Sequence, residues 1–381
     1  MLKINLRCCL LLAAAIGGYG VSAQNNSKQK YSNTFTYSGI EVGAKGVKLS
    51  VVEIGKSTQP GGSFNILKDT SINTDFISFT QPTFDATLNA YYNLYTKATK
   101  DYQIKPQQVY TVISSGVKMQ ADKENKTDWI DRLIGDFKQK IKEPQRQVEV
   151  VSVTDEARLS HLGIIPEARR YNTFLIDIGS GNAKGGFFPY GNTKDFKLFQ
   201  LNWGTKSVAN TAEKRCENDN SLTNYNKQLY RVLSEAENND IVYAVNESGA
   251  YPKSDNIAFS GGIAWATATL MYPELSSNSV VAVTFDKLIR YSEKLINDFS
   301  SFSDNALVKN ITDRSVDKDA AAREIKRVHA VFDQKSLMAG TGLMLKIMRQ
   351  FVSVFETKQF FLVKNGQVGW ISAYVDKNTN K

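Results

Sequence analysis

Apolar and polar residues alternate through 38–54, where Val47, Leu49 and Val51 share one face around a small turn at Gly43-Ala44-Lys45-Gly46. This period of two predicts a hairpin. A third strand is expected from Ser63, after a Gly-rich turn over 55–62. The pattern then predicts a helix over 83–100, a strand over 108–114 and a helix over 122–142. A run rich in β-branched residues over 148–153 reads as a strand, followed by a helix that Thr154 is placed to cap. The second half opens in the same way, with an apolar strand over 173–177, a turn over 178–182 and strands over 183–188 and 195–201. Two copies of strand, turn, strand, turn, strand point to a duplicated lobe.

Beyond the second copy, 212–251 is polar, Asn-rich and helical, and reads as an insertion that either covers the cleft or lies idle. A short strand over 256–259 turns at Ser260-Gly261-Gly262 into a helix over 263–272. Charged helical sequence over 304–333 precedes an amphipathic helix over 337–355, and 359–374 reads as a last strand pair turning at Asn365-Gly366.

The N-terminus changes the picture of where the chain works. Lys3 and Arg7, the apolar stretch 8–16 and the small residues ending in Val21-Ser22-Ala23 form a tripartite export signal, with cleavage expected after Ala23. Its apolar part is well short of the roughly 20 residues that a spanning helix needs. The expected mature protein is therefore periplasmic or extracellular, with no transmembrane anchor. A polar leader over 24–36 would precede a first lobe over 37–150 and a second over 151–381. Removing 23 of 381 residues leaves 358, more than one core usually holds, which agrees with two lobes. Only Cys216 remains after cleavage, so no intramolecular disulfide is expected. His161 and His329 lie far apart, and neither has a partner at metal-ligand spacing, which argues against zinc and against histidine-based catalysis. The formal net charge of +9 falls to +7 without Lys3 and Arg7, favouring an anionic partner. Lysines and arginines are interleaved with acids, and no basic run with aromatics points to nucleic acid.

Two Gly-rich turns each follow an acid at the end of an apolar strand: Glu41-Val42-Gly43-Ala44-Lys45-Gly46 and Asp177-Ile178-Gly179-Ser180-Gly181-Asn182. Glycine lets backbone N–H groups approach an anion closely, and an acid beside them can hold a hydrated Mg²⁺. Gly261-Gly262 marks a strand-to-helix junction, where a helix N-terminus favours negative charge. The segment Gly55-Lys56-Ser57-Thr58 is not a Walker A loop, because Ser50 stands where that loop needs glycine. Trp203 and Phe187-Phe188 read as core or interlobe packing.

Several segments together resemble the exopolyphosphatase/guanosine-pentaphosphate phosphohydrolase family of the actin, hexokinase and Hsp70 superfamily. The most specific is Ser152-Val153-Thr154-Asp155-Glu156-Ala157-Arg158-Leu159-Ser160-His161-Leu162-Gly163, and its spacing to Asp177-Ile178-Gly179-Ser180-Gly181-Asn182 also matches. Val112-Ile113-Ser114-Ser115-Gly116-Val117-Lys118 and Gly366-Gln367-Val368-Gly369-Trp370-Ile371 add to it, so the resemblance covers about 37–373. It implies an α/β fold of two ribonuclease-H-like lobes around a cleft and hydrolysis of a phosphoanhydride such as polyphosphate or a nucleotide. Glu156 or Asp155 would direct water, and Mg²⁺ would lie near Asp177 and Glu41. Gly43, Ala44, Lys45, Gly46, Lys118, Gly179, Ser180, Gly181, Asn182, Gly261 and Gly262 would hold phosphate. A homodimer is compatible with this reading. Glu41, Ala44 and Lys45 depart from the family's aspartate, serine and asparagine, Val153 from its glycine and Lys118 from its arginine. A catalytically degenerate polyanion- or partner-binding protein on the same fold is therefore the alternative.

Overall fold

The computed structural model describes residues 34–54, 65–354, 356–364, 366 and 369–379. The export signal, most of the polar leader and the Gly55-Lys56-Ser57-Thr58 segment lie outside the described residues, as do Ser63 and Asn365.

The first sheet contains β1 (Phe35–Val42), β2 (Gly46–Ile54), β3 (Asn65–Asn73), β4 (Val109–Ile113) and β5 (Val148–Val150). Their order is β3-β2-β1-β4-β5, antiparallel through the first three and parallel from β1 to β5. The second sheet repeats this plan with β6 (Thr173–Ile178), β7 (Ala183–Phe187) and β8 (Lys197–Leu201) as the meander. β9 (Asn256–Ser260) and β11 (Gln359–Val363) continue it in parallel, and β10 (Val280–Val283) pairs antiparallel at the edge. The order β8-β7-β6-β9-β11-β10 thus contains the first sheet's order plus one strand. These are the two ribonuclease-H-like lobes of the actin-like fold.

Helices cover both faces of the first sheet, which is why β2 is buried almost throughout and β1 from Ser38 onward. On one face Ile40, Val42, Val47, Leu49 and Val51 pack with Phe84, Tyr91 and Leu94 of α1 (Gln81–Thr96). The helix expected over 122–142 is two, α2 (Ser115–Glu124) and α3 (Thr127–Ile141), broken where Asn125 takes a left-handed conformation at φ 55°. Ser152, not Thr154, caps α4 (Val153–Ile164): its Oγ accepts from the Asp155 N–H at 3.1 Å.

The polar 212–251 stretch is not an idle insertion. It carries the end of α5 (Thr205–Lys214), then α6 (Leu222–Ala236) and α7 (Val242–Ser248), and buries Tyr225, Leu229, Val232 and Val245 in the large core of the second lobe. Buried Glu237, in a π-helical turn between α6 and α7, accepts from Lys346 at 2.8 Å and pairs with Arg349. Polar residues on the outer faces of α6 hid an amphipathic helix. The second lobe is completed by α8 (Gly262–Met271), α9 (Phe285–Asn297), α10 (Asp304–Asn310), α11 (Lys318–Val331) and α12 (Gln334–Arg349). Phe187 is core, and Trp203 packs against that core with its indole N–H on Asp240 at 2.7 Å. Among the described residues no helix is long and apolar enough to cross a membrane.

The expected final strand pair is corrected: β11 is followed by α13 (Gly369–Thr379). Trp370, Ile371, Ala373, Tyr374 and Val375 are all buried, so the segment carries no one-sided period from which to tell helix from strand. This helix returns to the first sheet. Gly39 of β1 lies against Ile371, Val375 packs with Val52 and Ile54, and the Tyr374 hydroxyl donates to Glu149 at 2.6 Å. On its other side α13 crosses α4 so closely that a Cβ on Gly163 would stand 2.1 Å from the Gly369 carbonyl oxygen. The α4–α13 pair is the seam between the lobes. His161 of α4 is fully buried, with Nε2 2.9 Å from the Thr173 carbonyl and its ring edge-on to Phe188. Burial, only partly offset by that hydrogen bond, pushes its pKa down to about 4.

Gly163→Ala is expected to cost about 1–3 kcal/mol in urea unfolding, because backbone must move. Gly135→Ala in α3, where a Cβ meets nothing within 4 Å, should instead stabilise by about 0.5–1 kcal/mol. His161 is neutral in the fold, so its contribution is intact above pH 6.5 and is lost as pH falls from 6.5 through about 4. His161→Gln should remove that part of the acid-side slope in unfolding curves taken at a series of pH values.

Candidate active site in the interlobe cleft

Each lobe opens with a hairpin that carries an acid and a lysine directly across from each other. Glu41 of β1 is in register with Lys48 of β2, and Asp177 of β6 with Lys184 of β7. In both lobes the lysine follows the acid by seven residues. The turn between the two strands is what that spacing encloses.

These charges meet Glu156, from the first turn of α4. Its Oε1 takes the Lys184 ammonium at 2.5 Å, and its Oε2 accepts the backbone N–H of Ser115 at 2.7 Å. Lys184 also donates to Ser115 Oγ at 3.2 Å. Both side chains are nearly out of water, at 9% and 4% exposure, so each charge depends on the other. Ser115 begins α2 of the first lobe, so this network ties the lobes together as well as holding the charges.

Burial alone would raise the Glu156 pKa, but the charge and hydrogen bond of Lys184 and the Ser115 donors hold it below the ordinary range. Lys184 loses hydration yet is held above its usual value by Glu156 and Asp177. Glu41 and Asp177 are pushed up, chiefly by burial and further by Glu156. Lys48 lies 3.8 Å from Glu41 Oε2 and lowers that pKa in part.

The Gly turns lie beside this cluster. Gly43 N–H bonds to the Gly46 carbonyl at 2.8 Å, and Gly179 N–H to the Asn182 carbonyl at 2.9 Å. The first N–H groups of α5 pin the second turn, Thr205 on the Gly179 carbonyl and Lys206 on the Ser180 carbonyl. Among the described residues, no protein acceptor takes the N–H groups of Ala44, Lys45, Ser180 or Gly181. Such open N–H groups are what an anion needs. Asn182 reaches Met119 of α2 at 3.8 Å, which brings the first lobe onto the second turn. Gly261 sits at φ 93°, where a Cβ would lie 2.7 Å from Asp177 Oδ1, and Ser260 donates to that same oxygen at 3.1 Å. Gly262 faces Phe332, whose ring also lies 5.6 Å from the Lys45 ammonium. The pKa of Lys45 is lowered by burial and then by Lys206 and Lys48, a repulsion that a bound polyanion would relieve.

The structure therefore separates the two candidate bases. Glu156 is buried in the cluster, whereas Asp155 is exposed and accepts from Ser152 Oγ at 2.7 Å at the start of α4. Gly43 to Gly46, Gly179 to Asn182, Gly261 and Gly262 come together around Glu41 and Asp177. Lys118 does not join them: it is exposed and pairs with Asp122 on its own helix at 2.6 Å. Lys48, Lys184, Lys206 and Ser115 escaped the sequence reading, although the repeated acid-to-lysine spacing carried a signal for the first two. Adjacent to the cleft, a cavity of about 850 Å³ is lined by Lys68, Asp69, Trp265, Arg323, Glu324 and Arg327. Its Asp69 senses both Lys48 and Arg327.

No protein-family model and no curated protein sequence matches the chain. Among solved structures, an Aquifex aeolicus member of the Ppx/GppA family superposes with a TM-score of 0.61 at 16% identity, covering 91% of this chain and 99% of that one. A type II variant of the Aquifex aeolicus Ppx/GppA phosphatase gives 0.56 at 14% identity, over 89% and 99% of the two chains. An exopolyphosphatase from Cytophaga hutchinsonii gives 0.54 at 14% identity, over 90% and 98%. The structural neighbours are thus exopolyphosphatase-type proteins of the actin-like superfamily, and the likeness at this identity is one of fold.

Breaking the central ion pair from either side should be costly. Glu156→Gln or Lys184→Met alone is expected to destabilise by about 3–5 kcal/mol in urea unfolding, and the double variant by clearly less than the sum.

Proposed function

We propose that the chain hydrolyses a phosphoanhydride, releasing terminal phosphate from polyphosphate or a nucleotide outside the cytoplasm. The observation that carries this reading is Glu156, a buried carboxylate held in its ionised form beside two Gly turns with open N–H groups. The exopolyphosphatase-like fold supports it.

The phosphate chain would lie across the turns 43–46 and 179–182, its oxygens taken by backbone N–H groups and by Lys45 and Lys206. Glu156 has one lone pair on each oxygen left after Lys184 and Ser115 are served, enough to orient a water on the terminal phosphorus. Phosphoryl transfer needs mostly such positioning and charge stabilisation, so a carboxylate of low pKa can direct the water without being a strong base. Lys184 and Lys48 offset charge that builds on the phosphate oxygens.

The resemblance also implies Mg²⁺ near Asp177 and Glu41, and the donor set does not fit it. Glu156 already faces the Lys184 ammonium, Asp177 Oδ1 takes Ser260, and Glu41 Oε2, buried without a hydrogen-bond partner, has the Lys48 ammonium at 3.8 Å as its counter-charge. Among the described residues, no three His, Cys, Asp or Glu side chains gather at metal-binding spacing.

A second reading rests on the same ion pair. If Lys184 holds Glu156 too tightly for water to bind productively, the cleft binds polyanions without turnover. The two readings part in one assay: phosphate release from long-chain polyphosphate, tripolyphosphate and ATP, with tripolyphosphate binding followed in parallel. Glu156→Gln should lower release about a hundred- to ten-thousandfold, with binding retained. Lys45→Ala and Lys206→Ala should each weaken binding about five- to tenfold, without loss of fold. Because Glu156 titrates below its ordinary 4.5, release should show no acid-side fall from this group until below that pH. Tight binding with no release from any of the three compounds would establish the second reading.

A further inference from the structure

We infer that Lys184 is the resident cation of this cleft, so that the phosphate chain is bound there by ammonium groups and backbone N–H groups without a divalent metal. This rests on the phosphate-chain reading above but holds whether or not the bound chain is hydrolysed.

The case begins with position. Lys184 stands directly across its hairpin from Asp177 in register, and its ammonium ends 2.5 Å from Glu156 Oε1. It is buried, its ammonium is in contact with Glu156, and Asp177 and Glu41 act on its charge from farther off. Lys48 repeats the arrangement in the first lobe, opposite Glu41. Three buried acids and two lysines leave one net negative charge. A dication brought to Asp177 and Glu41 would meet the charges of Lys184 and Lys48 close by. Magnesium demands near-octahedral oxygen ligation at about 2.0–2.1 Å and retains several waters. The ammonium hydrogen-bonded to Glu156 and Ser115 repels a dication placed beside these acids.

A phosphate chain needs its charge balanced by something, and the lysines near the turns supply it. Lys45 and Lys206 repel each other in the absence of an anion, and neither has an ion-pair partner among the described residues. The site is therefore arranged to receive anionic oxygen directly, with the acids turned inward onto Lys184 and Lys48.

The test has two arms with the intact folded protein. In the first, Mn²⁺ is titrated against wild type and followed by electron paramagnetic resonance, with no phosphate compound present. Wild type should show no stoichiometric Mn²⁺ site up to millimolar metal. Lys184→Met, where it folds, should gain one that Asp177→Asn in the same background removes. In the second, tripolyphosphate binding to wild type is measured by calorimetry with excess EDTA, and should be at least as tight as in Mg²⁺. A saturable Mn²⁺ site on wild type that Asp177→Asn abolishes would overturn the inference, as would a tenfold or greater loss of tripolyphosphate affinity in EDTA. Absence of tripolyphosphate binding under both conditions would sink the phosphate-chain reading and with it the metal-free binding of that chain. The Mn²⁺ arm would still report on Lys184 as the internal cation, so the two failures are distinguishable.

Discussion

Glu156 and Lys184 are each nearly out of water, and neither charge could remain there alone, since removing one ion from water costs several kcal/mol even after relaxation. Their contact spans more than a pair of side chains. Glu156 comes from the helix at the seam, Lys184 from the second sheet, and Ser115, which donates to Glu156 and accepts from Lys184, from the first lobe. The contact between the lobes at this point and the protonation states of the cluster therefore rest on one network. A swing of the first lobe away from α4 would remove the Ser115 donors and leave the pair to be solvated again.

The duplicated hairpins give this network its symmetry. An acid at the end of the first strand and a lysine seven residues on face each other across each antiparallel pair, since residues directly opposite in a sheet are neighbours in space. The two lobes differ in where the lysine ends. Lys48 keeps about a third of its side chain in solvent and stays 3.8 Å from Glu41, whereas Lys184 is drawn inward onto Glu156 at 2.5 Å. The first repeat thus keeps its ion pair within the hairpin, whereas the lysine of the second pairs outside it, with Glu156 of α4.

Much of the architecture was legible because it depends on local pattern. Alternation in 38–54 and the second run of strands after Thr173 gave both meanders, and the Gly turns stood where strand periodicity stopped. What was missed depended on tertiary partners. The run from Trp370 to Val375 has no polar face because it is enclosed by a sheet on one side and α4 on the other, so its period was silent. The polar stretch around Tyr225 hid its buried stripe among solvated neighbours. Asp155 and Glu156 are adjacent in sequence with equal claims, and only the turn of α4 sends one inward and leaves the other at the cap. Lys184 was invisible as a site residue because a lysine on a short strand reads as solvent-facing until the acids around it are known.

The return of α13 to the first sheet has a bearing on how the chain acquires its structure. Gly39, Val52 and Ile54, among the first residues of the fold, find their cover in Ile371 and Val375, among the last. A ribosome delivers the first lobe's strands well before the helix that seals them, so one face of that sheet stays without its cover through synthesis of the whole second lobe. Contacts of such long sequence separation are slow to form and leave apolar surface open to other chains meanwhile. The two lobes look like independent units by topology, yet the first can reach its final form only after the second has been made, and a chain stopped short of residue 369 would carry an unfinished sheet however well the rest had folded.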